Sequence, residues 1–175
     1  IFEYDSLNRL IKTIDPLGNA TTFTYDARGN RISQTDAIGR TTQYEYNYQS
    51  KLIKVIDPQG GMTSYSYDPK GNLTSIIDAN GQTTNYAYDT QNRLISETDP
   101  LGNTIRYSYD TKGNLISKTD ANGQVISFTY DSLNRLTRKT YPDGGFESFT
   151  YDGNGRILSA NNQAISYTFS YDAAG

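Results

Sequence analysis

Rings and hydroxyls alternate along this chain in short runs. In Ala20-Thr-Thr-Phe-Thr-Tyr25 two aromatic residues stand two positions apart with a threonine between them. A period of two is the mark of a strand with unlike faces. The pair returns as Phe2/Tyr4, Phe23/Tyr25, Tyr44/Tyr46, Tyr65/Tyr67, Tyr86/Tyr88, Tyr107/Tyr109, Phe128/Tyr130, Phe149/Tyr151 and Phe169/Tyr171. Successive pairs are 21 residues apart as far as Tyr151, and the last follows after 20. Eight of the nine second tyrosines precede an aspartate; Tyr46 precedes Asn47. A fixed period of this length signals a repeat architecture.

Each period predicts a loop, a strand, a turn and a second strand. From Tyr4 to Arg9 is loop, Leu10 to Ile14 strand, Asp15-Pro16-Leu17-Gly18 turn, and Ala20 to Tyr25 strand. Extended over the chain this gives about seventeen short antiparallel strands. In the turn, Pro presets φ, Asp bonds the backbone two residues on, and Gly accepts positive φ. That glycine recurs as Gly18, Gly39, Gly60, Gly81, Gly102, Gly123 and Gly144. Four residues after each tyrosine stands Asn8, Gly29, Ser50, Gly71, Asn92, Gly113, Asn134, Gly155 or Gly175. A left-handed backbone is expected there.

The forward strand predicts an aromatic face and a face of small hydroxyls, such as Thr22 with Thr24 and Ser64 with Ser66. The returning strand carries Leu10, Leu52, Leu73, Leu94, Leu115 and Leu136 at one position and Ile11, Ile53, Ile95 and Ile116 at the next. A simple two-residue turn puts Leu beside the aromatics, whereas a bulge at the Gly puts Ile there. The simple turn, with Leu, is the expectation. Loops alternate between Asn-Arg (Asn8-Arg9, Asn92-Arg93) and Gly-Asn (Gly29-Asn30, Gly71-Asn72), and turns between Pro and Ala (Pro16, Ala37), so a period of 42 overlies that of 21. Duplication of a two-repeat unit is the plain reading. The structural alternative is that alternate hairpins meet different surroundings. The pattern decays late: Tyr141 replaces a turn aspartate, and Asn161-Asn162-Gln163-Ala164 replaces Asp-Pro-x-Gly.

Composition narrows the function. The net charge is −3 with no basic patch, and no apolar run approaches a membrane span. Cysteine and histidine are absent, which excludes a disulfide framework, Cys-type zinc sites and an ordinary catalytic triad. Asp5, Asp26, Asp68, Asp89, Asp110, Asp131 and Asp152 recur in like contexts. That fits turn capping and pairing with nearby Arg or Lys, since calcium wants several oxygens converging within a few residues. Arg9, Arg93, Arg135 and Arg156 are expected to form a charged, solvated rim. No catalytic, cofactor-binding or metal residue is assigned, and no enzyme activity is expected.

Seventeen strands at about 4.8 Å span roughly 80 Å, and twisted sheets beyond about 10 strands curl or split. A coiled wall, a propeller and a solenoid are the candidate solutions. The 42-residue alternation leaves strand hydrophobicity unchanged, which disfavours propeller blades. The expected fold is all-β: antiparallel hairpins in one continuous coiled sheet over residues 1–175, about eight repeats of a longer chain.

The motif Phe/Tyr-x-Tyr-Asp-x-x-Gly/Asn-Arg/Asn-Leu…Asp-Pro-x-Gly, repeated over the whole chain, resembles the YD repeat of the Rhs family. That family includes bacterial polymorphic toxins, shell components of insecticidal Tc toxins and the teneurins. The resemblance implies a β-hairpin strip that spirals into a hollow shell around a C-terminal toxin domain, in an exported bacterial protein. Its partners are then the remaining repeats and core region of the same chain and an enclosed toxin. A cell-surface adhesion or glycan-binding module, or an extracellular fibre, is the alternative. A family shell has many more repeats, and the aspartate-dependent self-cleaving core has no counterpart here, so no protease residue is carried over.

Overall fold

The computed structural model describes residues 1–172 and shows seventeen strands and no helix among them. Forward strands are β1 Phe2–Tyr4, β3 Ala20–Tyr25, β5 Thr41–Tyr46, β7 Met62–Tyr67, β9 Thr83–Tyr88, β11 Thr104–Tyr109, β13 Val125–Tyr130, β15 Phe146–Tyr151 and β17 Ser166–Thr168. Returning strands are β2 Leu10–Ile14, β4 Arg31–Thr35, β6 Leu52–Ile56, β8 Leu73–Ile77, β10 Leu94–Thr98, β12 Leu115–Thr119, β14 Leu136–Thr140 and β16 Ile157–Asn162. All belong to one antiparallel sheet. The residues divide into two compact units within β9, Ile1–Asn85 and Tyr86–Gly175. In the first unit each strand pairs with the next in sequence from β1 to β9. In the second the same holds from β10 to β17.

The turns are not the simple two-residue kind. Gly18 N–H donates to Asp15 O at 3.1 Å, and Asp15 N–H to Asn19 O at 3.0 Å. With Gly18 at φ +86° this is a type I turn closed by a glycine bulge. The loops are built alike: Asn8 N–H donates to Asp5 O, Asp5 N–H to Arg9 O, and Asn8 has φ +60°. Positive φ occurs at all seven turn glycines and at the loop positions from Asn8 to Gly155. Gly175 lies outside the described residues.

A bulge at the turn alone would carry Ile to the aromatic face. A second bulge undoes this. Phe23 faces Gln34 and Thr24 faces Ser33, but Tyr25 then faces Arg31, leaving Ile32 as the extra residue. The side chains confirm the exchange of faces. Arg31, in the Leu position, lies over the rings of Phe23 and Tyr44 at 5.6 and 5.0 Å. Thr137, in the Ile position, bonds the hydroxyl of Thr129 at 3.1 Å on the opposite face. Leu therefore accompanies the aromatics as expected, through two bulges that offset each other.

No described residue is buried. Within each unit, strands pack only against their sequence neighbours. Cohesion thus comes from the ladder and from cross-strand pairs, each contributing about 0.2–1 kcal/mol. Examples are Thr35 with Thr41 at 2.8 Å, Thr150 with Ser159 at 2.7 Å, and the ion pairs Lys12–Glu3 and Lys54–Glu45. The residue missing before Tyr171 is lost from the last turn, a two-residue loop in which Asn162 N–H donates to Ile165 O. Ala160 still faces Tyr167, so the aromatic face is kept.

Candidate functional site

The repeated polar residues gather along the two edges of the sheet, in the turns and in the loops. In the described bends the aspartate that opens a bend caps it. Asp5 Oδ1 accepts the N–H groups of Leu7 and Arg9, both at 2.9 Å, and Oδ2 accepts Arg9 Nε at 2.7 Å. Asp15 does the same for Leu17 and Asn19, with the Asn19 amide on Oδ2 at 2.8 Å. Asp26, Asp68 and Asp110 take the amides of Asn30, Asn72 and Asn114. Asp89, Asp131 and Asp152 take the guanidiniums of Arg93, Arg135 and Arg156. These donors hold the carboxyls below the usual range: the backbone N–H of Arg9 is the leading cause at Asp5, and the Asn30 side chain at Asp26. One carboxylate per bend, with both oxygens engaged, is capping chemistry. Among the described residues no three acidic side chains converge as ligands.

The arginines do more than form a rim. Arg9 reaches from its own loop to Asp26 O in the next, at 3.0 Å, and lies over the Tyr25 ring at 5.0 Å. Arg93 repeats this with Asp110 O and Tyr109, and Arg135 with Asp152 O and Tyr151. Lys51 reaches Gly71 O at 2.8 Å. The intervening loops use another position. Arg28 donates to Tyr48 O at 2.7 Å and Lys112 to Ser132 O at 3.2 Å. Alternate loops therefore send their cation forward by different routes, which gives the 42-residue period a structural content. These side chains are not the solvated rim expected from the sequence: the arginines of the Arg–Asp loop pairs are only 25–34 % exposed.

The second tyrosine of each pair has its own task, which sequence reasoning missed. Past Lys12↔Thr22 the β2–β3 ladder has ended, and Tyr25 Oη donates to Leu10 O at 2.7 Å. Tyr46, Tyr67, Tyr109, Tyr130, Tyr151 and Tyr171 make the same bond 14 or 15 residues back. The signal was there: the first ring is Phe or Tyr, but the second is always Tyr.

The concavities are shallow, and no helix is long and apolar enough to cross a membrane. Solved structures with this fold include TcdB2–TccC3, at TM-score 0.72 and 18 % identity over 95 % of this chain. TcdB2–TccC3 without its hypervariable C-terminal region matches at TM-score 0.71, 19 % identity and 95 % coverage. The Photorhabdus luminescens Tc holotoxin pore matches at 0.68, 22 % and 89 %. The chain spans only 12 %, 11 % and 9 % of those three chains. Among curated proteins none matches. The family model described as Teneurin YD-shell matches residues 1–138. With that match over most of its length and the repeated hairpin geometry above, the chain belongs to the teneurin YD-shell family.

Proposed function

We propose that residues 1–175 are one repeat array forming a stretch of wall in a hollow β-shell, and that in the longer protein this shell surrounds a C-terminal toxin domain. The observation behind this reading is the constant facing of the sheet. In each unit the paired rings and the residue at the Leu position (Leu, Arg31 or Ile157) stay on one side of the sheet, yet no described residue is buried. A sheet of this kind is suited to lining a boundary whose second layer comes from elsewhere. The wall has no catalytic role here, because each candidate carboxylate is already a turn cap. Its partners are the other repeats of its own chain and the enclosed domain, and the protein is exported.

Limited proteolysis of the full-length parent tests this reading. The downstream domain should resist cleavage in the intact protein and become sensitive once denaturant opens the wall. Digestion as fast in the intact parent as in the isolated domain would reject enclosure and favour adhesion or fibre formation.

A further inference from the structure

Three bends carry an asparagine directly before their positive-φ glycine: Asn80-Gly81, Asn122-Gly123 and Asn154-Gly155. All six residues are exposed. The same place in other bends holds residues as unlike as Leu17, Ile38, Gln59 and Arg28, so the bend itself does not call for asparagine. Nor does the side chain cap anything. Asp78, Asp120 and Asp152 accept the backbone N–H groups of Asn80, Asn122 and Asn154, each at 2.9 Å. Among the described residues no hydrogen bond holds the three side-chain amides. Asn19, Asn30, Asn72, Asn103 and Asn114 differ on both counts. Their amides donate to capping carboxylates at 2.8–2.9 Å, and each is followed by a residue with a side chain.

The chemistry open to an exposed asparagine is attack by the backbone nitrogen of the next residue. The Gly81 nitrogen gives up its proton and bonds to Asn80 Cγ. The Cγ–Nδ2 bond breaks, and that nitrogen leaves as ammonia with the displaced proton. The five-membered imide left behind takes up water at either carbonyl. It opens to aspartate or to isoaspartate, whose main chain runs through Cβ. Water is the only co-reactant. A side chain on the attacking residue would crowd the ring, but Gly81, Gly123 and Gly155 have none, and nothing lies within 4 Å of where a Cβ would stand. One feature resists the attack: the Gly81, Gly123 and Gly155 N–H groups donate to the aspartate carbonyls at 2.9, 3.0 and 3.1 Å. These bonds lie in exposed bends, which open at little cost, so they slow the reaction without stopping it.

We propose that Asn80, Asn122 and Asn154 are sites of spontaneous deamidation in the folded protein. Each conversion adds a negative charge to a chain whose net charge is −3. At Asn80 the new carboxylate stands in the bend that Asp78 already caps. Both edges of the sheet therefore grow more acidic as the protein ages. This inference does not rest on the shell reading.

The test is incubation of the chain, folded at neutral and at mildly alkaline pH and unfolded in urea, followed by peptide mapping. Mass spectrometry reads the change from amide to acid at each asparagine. In the folded protein the three sites should convert at least tenfold faster than Asn19, Asn30, Asn72, Asn103 and Asn114. Their rate should rise with pH, because the glycine nitrogen must lose a proton. Asn80→Gln uses the residue found at position 59 and requires a larger ring. It should abolish conversion at position 80, leave Asn122 and Asn154 reactive, and keep the strand spectrum in circular dichroism. Conversion confined to the urea sample, or folded-state rates at Asn103 or Asn114 equal to that at Asn80, overturns the inference.

Discussion

Gly81 sits at φ +78° with nothing within 4 Å of where a Cβ would stand, so the backbone alone makes it special. Gly81→Val should cost about 1–2 kcal/mol from strain, whereas Thr83→Val, in strand β9, should change little. Equal denaturation midpoints for the two variants would contradict the turn assignment. The tyrosine pair offers a sharper contrast. Tyr109 Oη holds Leu94 O at 2.9 Å, while Tyr107 occupies the position where Phe is also used. Tyr109→Phe should lose about 0.5–1.5 kcal/mol and Tyr107→Phe close to nothing, as read from urea midpoints. The capping aspartates set the pH dependence. Asp5, Asp15, Asp26, Asp36, Asp68, Asp89, Asp99, Asp110, Asp131 and Asp152 all lie below their ordinary value of 3.8. Below that value the unfolded chain binds more protons than the folded one, so this contribution is present above pH 3.8 and is lost as pH falls through the folded values. Melting temperature should be flat from neutral pH to about 4.5 and fall steeply below about 3.5; a flat profile down to pH 2 would refute the capping role.

At the scale of the element, the hairpin depends on two bulges that cancel. Ile116 is the extra residue of β12, since Ser108 faces Ser117 and Tyr109 faces Leu115. Ile116→Thr copies the residue at position 137 and should be tolerated. Deleting Ile116 leaves the turn bulge uncompensated, and Leu115 then moves to the hydroxyl face or the loop is pulled out of register. The loss should be on the order of 1 kcal/mol or more, since the displaced Leu115 side chain is half-buried. Deletion and substitution with equal stability would remove the second bulge from the account. Within each unit the cations act at the same scale, as Arg9 and Arg93 tie their loops to the next across a strand pair.

At the scale of the whole molecule, the absence of any buried residue among those described means that stability is a sum over neighbouring strands. Native-state hydrogen exchange should therefore grade along the sheet. Amides of β1 should exchange fastest in the first unit and those of β17 fastest in the second, with interior strands such as β6 and β14 slower. Uniform, globally cooperative exchange would point to a shared core.

Much of this structure was legible in the chain because its signals are local. The strands Leu10–Ile14 and Ala20–Tyr25 and the left-handed positions follow from alternation, glycine and asparagine, which act within a few residues. The capping role of the aspartates is equally local, reaching only two and four residues ahead. What the sequence left open depends on partners across the sheet. Whether Leu or Ile joins the aromatics turned on two bulges, visible only once Tyr25 is seen opposite Arg31. Tyr25 serves Leu10, and Arg9 serves Asp26, because neighbouring hairpins lie side by side, 15 and 17 residues apart in sequence.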